Sequence, residues 1–128
     1  MAYLLDTHVL LWASLAPDKL GKNTLHILRR HPDVYYSSVS TFELTLKESL
    51  GRLNIDQSYF RRLEESGFRD LPFDSSHARA VARFGFLAGH DPFDQMIIAQ
   101  AASEQATLIT ADSKLLNLGL PWLHDAQL

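Results

Sequence analysis

The sequence predicts an α/β fold, a three-layer α/β/α sandwich with a mainly parallel central sheet, formed by one domain over residues 1–128. Three observations carry that expectation. Short apolar runs alternate with helical stretches along the whole chain, the order that lays helices on both faces of a parallel sheet. The runs Tyr3-Leu4-Leu5, Val34-Tyr35-Tyr36 and Thr107-Leu108-Ile109-Thr110 are near-continuous, as strands buried on both faces require. A chain of 128 residues suffices for a single core that buries about two-thirds of the surface its unfolded form exposes, and no repeat, linker or low-complexity tract divides it.

Taken in order, Tyr3–Leu5 reads as a first strand closed by Asp6-Thr7, and Val9-Leu10-Leu11-Trp12 opens a helix that breaks at Pro17. Leu20, Leu25, Ile27 and Leu28 carry an amphipathic helix ending at His31-Pro32, because Pro lacks a donor and restricts the residue before it. Val34–Tyr36 is the second strand. Ser40-Thr41-Phe42-Glu43 opens the next helix, with Phe42, Leu44, Leu46 and Leu50 as apolar positions and Gly51 as its stop. Asn54 and Asp56 offer caps to a short helix through Tyr59, Phe60 and Leu63, which Gly67 ends.

Residues 68–73 read as a further strand, and Ser75 or Ser76 caps a helix containing Ala80, Val81 and Phe84. Asp91-Pro92 starts the most strongly marked helix, with Phe93, Ile97, Ile98 and Ala101 toward the core. Thr107–Thr110 is a strand, Ala111-Asp112-Ser113 turns into a short helix, and residues 120–123 form a last strand whose Pro121 favours a sheet edge. Trp12, Phe84, Phe86 and Trp122 are read as core aromatics.

Composition narrows the chemistry. The absence of Cys rules out a disulfide framework, a Cys nucleophile and a thiolate zinc site, and suits a reducing cytoplasm. No apolar run approaches a membrane span, and the opening MAYLLDTHVLLWA lacks the basic segment of a signal peptide, so the expectation is a soluble, cytoplasmic protein with no membrane partner. The six His residues form no H-x-x-x-H pattern, and His8, His90 and His124 are expected on the surface or in hydrogen bonds. The formal charge of −3 disfavours nucleic acid only until the acidic candidates below are neutralised by a cation, after which the remainder is slightly basic.

Asp6, Glu43, Asp94 and Asp112 each fall where a predicted strand has just ended or a predicted helix begins. In an open α/β sheet the carboxyl ends of the strands share one crevice, so these acids can converge although they span the chain. Each also has a structural reading. Asp6 and Asp112 suit helix N-caps, Ser40-x-x-Glu43 spells a capping box, Asp94 lies in a first turn where the dipole favours it, and Asp91 before Pro92 is an N-cap. Capping accounts for each acid singly but not for four on one edge. Carboxylates brought together call for a cation, and hard oxygen ligands without Cys or paired His favour Mg²⁺ or Mn²⁺ over Zn²⁺. Thr7, Thr110 and Asp91 stand beside the four as supporting groups. Lys47, one turn past Glu43, either pairs with it or contacts a phosphate, and Arg52 is a second phosphate candidate.

LLDTHVLLWA, SVSTFELTLKESLGRL, HDPFDQMIIAQA and LITAD, in that order, closely resemble PIN-domain ribonucleases and, more narrowly, the VapC-type toxins of type II toxin–antitoxin modules. The likeness runs over nearly the whole chain. It implies a PIN-like sandwich and an acidic pocket of Asp6, Glu43, Asp94 and Asp112 that binds Mg²⁺ or Mn²⁺ and hydrolyses RNA phosphodiester bonds to 5′-phosphate and 3′-hydroxyl ends. It further implies a cognate antitoxin protein seated on the acidic groove and a homodimer. Two positions depart from the pattern: Gln95 stands where relatives often carry Arg, and Phe42 where they often carry Trp.

The sequence therefore points to a metal-dependent endoribonuclease with Asp6 and Asp94 as direct ligands and Glu43 and Asp112 completing the pocket or acting through water. A haloacid-dehalogenase phosphatase would need a second Asp where His8 stands. A receiver-type signalling domain would need a phosphoacceptor Asp after a central strand, and Tyr36-Ser37-Ser38 has none. A catalytically degenerate PIN-like domain that only binds RNA or protein is opposed by retention of all four acids.

Overall fold

The computed structural model describes residues 1–128 as seven α-helices around a five-stranded sheet. The strands are β1 (Tyr3–Leu5), β2 (Val34–Ser37), β3 (Arg69–Leu71), β4 (Thr107–Thr110) and β5 (Leu123–Asp125), in the spatial order β3-β2-β1-β4-β5. Every pairing is parallel. β1 is central because its short run can be buried on both faces: Leu4 joins one apolar cluster with Val39, Ile98 and Leu108, and Leu5 the opposite one with Leu10, Leu44 and Ile109. Leu108 and Ile109 of β4 split between the two clusters in the same way.

The connections set where a site can form. From β1 the chain passes through α1 (Thr7–Leu15) and α2 (Lys22–Arg30) to β2, then through α3 (Ser38–Ser49) and α4 (Tyr59–Glu65) to β3 at one edge. It returns through α5 (Ser75–Ala80), a 3₁₀ stretch over Val81–Leu87 and α6 (Pro92–Ser103) to the far side of β1, where β4, α7 (Ser113–Leu116) and β5 complete the sheet. The direction of sheet growth thus reverses between β1 and β4. A crevice opens at the carboxyl ends of strands on either side of such a reversal. No helix is long and apolar enough to cross a membrane.

Several boundaries differ from those expected of the sequence. α3 begins at Ser38, capped by Ser37 Oγ accepting from the Val39 N–H, so Ser40 lies inside the helix and the Ser40–Glu43 capping box does not form. Asp74 rather than Ser75 or Ser76 caps α5, accepting from the Ser76 and His77 N–H groups, while His77 Nδ1 accepts from the Asp74 N–H. α5 ends at Ala80, and Phe84 breaks helical geometry at φ −118°, ψ 44°, so Phe84 is buried while Phe86, expected in the core, is 59% exposed. The last strand starts at Leu123, opposite Leu108, and Pro121 lies in the preceding turn, since a residue without an N–H cannot donate to the ladder. Of the four apolar positions expected to face the core from this helix only Leu44 is buried, joined by Val39, while Phe42, Leu46 and Leu50 are exposed.

Ile98, fully buried in the middle of α6, holds that helix on the sheet. Ile98→Ala is expected to destabilise the fold by about 2–5 kcal/mol, the usual cost of removing a buried aliphatic side chain and leaving part of the cavity. Urea unfolding of parent and variant measures it.

Candidate functional site

Asp6 is the residue around which the crevice is built. It follows β1 directly, its side chain is 6% exposed, and both carboxylate oxygens are occupied: Oδ1 accepts from the Thr7 N–H at 2.8 Å and Oδ2 from Thr110 Oγ1 at 2.7 Å. Its backbone N–H meanwhile donates to Ile109 O, continuing the β1–β4 pairing one residue beyond the strands. Burial pushes the Asp6 carboxyl above its ordinary range, with the Thr110 and Thr7 hydrogen bonds opposing that rise. Thr110 Oγ1 also accepts from the Asp112 N–H at 3.1 Å, so a single hydroxyl links Asp6 to the turn bearing Asp112.

Thr7 performs the matching task toward α3. Its hydroxyl donates to Glu43 Oε1 at 2.9 Å and lies 2.8 Å from Ser40 Oγ, with Ser40 wholly buried. Since the Thr7 proton goes to Glu43, Ser40 is the donor in the second bond, giving a relay from Ser40 through Thr7 to Glu43. Glu43 Oε2 pairs with Lys47 Nζ at 3.2 Å one turn later. Sequence reading missed Ser40, taking it for a cap. The available signal is its spacing, three residues before Glu43 on the same helix face.

Asp94 enters from α6. Asp91 caps that helix by accepting from the Phe93 N–H at 2.7 Å, and Pro92 at the first helical position leaves Asp94 in the first turn. Gln95 Nε2 donates to His90 O at 2.9 Å and so steadies the loop that leads into the helix. The Asp94 carboxyl is pushed up to about 7, first by burial and then by the charges of Asp6, Asp91, Asp112 and Glu43. Those charges mark the convergence. The fold thus brings Asp6, Glu43, Asp94 and Asp112 to one crevice, with Asp91, Thr7 and Thr110 around them. Asp91 and Asp112 also cap α6 and α7, Asp112 Oδ1 accepting from the Lys114 N–H.

The donor set suits a hard cation in one way and limits it in another. Clustered carboxylates, one held only by repulsive neighbours, fit Mg²⁺ or Mn²⁺. No three acidic or histidine side chains, however, are spaced to grip one ion together. That agrees with Mg²⁺ chemistry in which one or two carboxylates bind directly and waters fill the other positions. Arg52 is exposed on the loop after α3, its backbone N–H donating to Lys47 O. His124 Nε2 shares a hydrogen bond with Thr24 Oγ1 at 3.0 Å, and His8 is exposed. A cavity of about 460 Å³ between α1, α2 and α4, lined by Leu15, Leu25, Tyr59 and Phe68 among others, includes none of the acids.

Residues 3–119 match the family model described as PIN domain. Among solved structures, VapBC2 from Rickettsia felis bound to a DNA fragment from its promoter is similar at 21% identity and a TM-score of 0.70, covering 96% of each chain. A toxin–antitoxin complex from Klebsiella pneumoniae is similar at 17% identity and 0.68, covering 98% of each chain. FitAcB from Neisseria gonorrhoeae is 28% identical with a TM-score of 0.56, over 87% of this chain and 88% of that one. No curated protein matches the chain.

The elevated Asp94 carboxyl has a thermodynamic consequence. In the unfolded chain it ionises near 3.8 and in the folded protein at about 7, so the folded state loses stability relative to the unfolded one as pH rises between those values. Asp94→Asn carries no such penalty at nearly the same volume. In EDTA the variant is expected to melt above the parent at pH 8, with the difference closing toward pH 4. A variant that melts lower across the whole range would mean that Asp94 serves chiefly the α6 dipole.

Proposed function

Because the chain belongs to the PIN-domain family, we propose that it is a metal-dependent endoribonuclease and the toxin of a type II toxin–antitoxin pair. The observation that carries the reading is the convergence of Asp6, Glu43, Asp94 and Asp112 at the β1/β4 reversal, with the Asp94 carboxyl raised by burial and then by its neighbours' charges. Asp6 and Asp94 would hold Mg²⁺ or Mn²⁺, with Glu43 and Asp112 acting directly or through water. A divalent ion there supplies positive charge for the scissile phosphate and lowers the pKa of an attacking water.

This chain's own groups supply orientation. Thr110 and the Thr7 N–H fix both oxygens of Asp6, and the Ser40–Thr7 relay fixes Glu43, so the carboxylates need little reorganisation when charge develops. Lys47 is proposed to exchange its pairing with Glu43 for a backbone phosphate, and exposed Arg52 to add a second phosphate contact. The proposed partners are RNA, a cognate antitoxin protein, since similar structures are described as toxin–antitoxin complexes, and a second copy of this chain. Phe42, Leu46 and Leu50, spaced i, i+4, i+8 along α3 and exposed, form an apolar stripe of the kind a homodimer covers. A cytoplasmic location accords with a Cys-free chain.

Purified protein with Mg²⁺ should cleave RNA to products bearing 5′-phosphate and 3′-hydroxyl ends, read by end-labelling. Asp6→Asn should keep the fold and lose cleavage, as should the parent in excess EDTA; full activity in either case rejects the reading. Thr7→Val removes the hydroxyl that orients Glu43 without changing shape. It should weaken Mn²⁺ binding roughly 10- to 100-fold, measured by calorimetry.

A further inference from the structure

We propose that the exposed face of α2 is a phosphate track that holds the RNA strand after it leaves the acidic crevice, a role resting on the ribonuclease reading above. α2, KNTLHILRR, contains no acid in a chain whose acids outnumber its Lys and Arg by 15 to 12. Its solvent face is a single stripe of Lys22, Asn23, His26, Arg29 and Arg30, all exposed. Four of these line a shallow depression of about 250 Å³. The ion pairs of the molecule involve Lys47, Arg61, Arg62, Arg69 and His77, and none engages Lys22, Arg29 or Arg30.

Position ties this face to the crevice. α2 starts beside the carboxyl end of β5: the Gly21 N–H donates to Ala126 O, and Thr24 Oγ1 contacts His124 Nε2 of β5. Two strand spacings, about 10 Å, separate β5 from β1. Lys22 therefore stands on the same rim as the acids, and Arg29 and Arg30 lie about 10–12 Å farther along the helix axis. α2 then runs down the sheet face to the start of β1, where the His31 ring meets Tyr3 edge-on, so a single strand that leaves the rim over β5 and turns down this face along the helix meets Lys22, His26, Arg29 and Arg30 in succession. The chemistry favours a polyanionic backbone over an acidic protein. Partly buried Leu25 is the one apolar residue lining the depression, against four basic ones, whereas the centre of a protein interface is apolar and poor in charge, and Arg is the side chain best shaped to fork onto phosphate.

The test measures anisotropy of an unstructured, labelled single-stranded RNA in EDTA, where it stays intact, against rising KCl. Arg29→Gln/Arg30→Gln should flatten the slope of log affinity against log salt by about 1.4, since each single-strand phosphate contact contributes about 0.7. With Mg²⁺ the same variant should show a raised KM for long RNA and an unaltered kcat. Arg79→Gln/Arg83→Gln, an equal loss of charge from α5 and the 3₁₀ stretch, should leave the slope as in the parent. The proposal is overturned if both double variants flatten it alike, or if neither does. It is also overturned if the α2 variant loses affinity for polyglutamate but not RNA, which assigns the face to an acidic protein. If the slope change appears but the parent cleaves no RNA with Mg²⁺, the track stands and the ribonuclease reading falls.

Discussion

A carboxylate buried at the seam of the sheet is the constraint on which the structure turns. Hiding the Asp6 charge from water costs several kcal/mol unless its oxygens find donors. Both donors come from elements that must then be in place: the first residue of α1 and the last of β4. Satisfying one side chain thus fixes the start of the first helix and the register of β4 against β1. A one-residue slip of β4 would remove Thr110 from Asp6 and exchange Leu108 and Ile109 between the two cores, so hydrogen bonding and burial specify the same pairing.

Acids in the same crevice are treated in opposite ways. Asp6 is buried more deeply, yet its rise is opposed by two hydrogen bonds, whereas burial and then the charges of Asp6, Asp91, Asp112 and Glu43 all raise the Asp94 pKa. The fold supports Asp6 and leaves Asp94 destabilised by its neighbours. Strain of this kind persists where the surrounding structure enforces it, and it concentrates at functional positions. α3 is the element that allows it. Val39 packs in one core and Leu44 in the other, so the helix is pinned on both sides and can present Ser40 and Glu43 to Thr7 between them.

The net charge of −3 conceals a segregated surface. Five acids lie close enough to act on one another, and a helix without acids starts at the same rim and runs down the sheet face from it. A polyanion approaching the acids without a cation is repelled, while α2 attracts it independently of any metal. Binding and hydrolysis of a nucleic acid would then rest on separate groups, one sensitive to monovalent salt and the other to divalent ions.

The sequence by itself determined the alternation of elements and the parallel sheet, and singled out the four acids as candidates, because strand burial and helix punctuation are local signals that survive in a single chain. It also placed Asp91 and Pro92 at the start of α6, where the N–H geometry of a first turn needs only neighbouring residues. Where two local signals competed, tertiary structure chose. Ser40 reads as a cap from its spacing to Glu43, but Ser37 takes the cap and Ser40 lies inside the helix against Thr7, distant in sequence. Phe86 reads as core until a break at Phe84 turns it outward, and the last strand begins at Leu123 because Leu108 offers its partner there. The same holds for the charges. The acids at 6, 43, 94 and 112 each have an ordinary helix-terminus reading in the sequence when taken alone. Only the reversal between β1 and β4 brings them close enough for their fields to add, since electrostatic repulsion depends on distance in space and not on position in the chain.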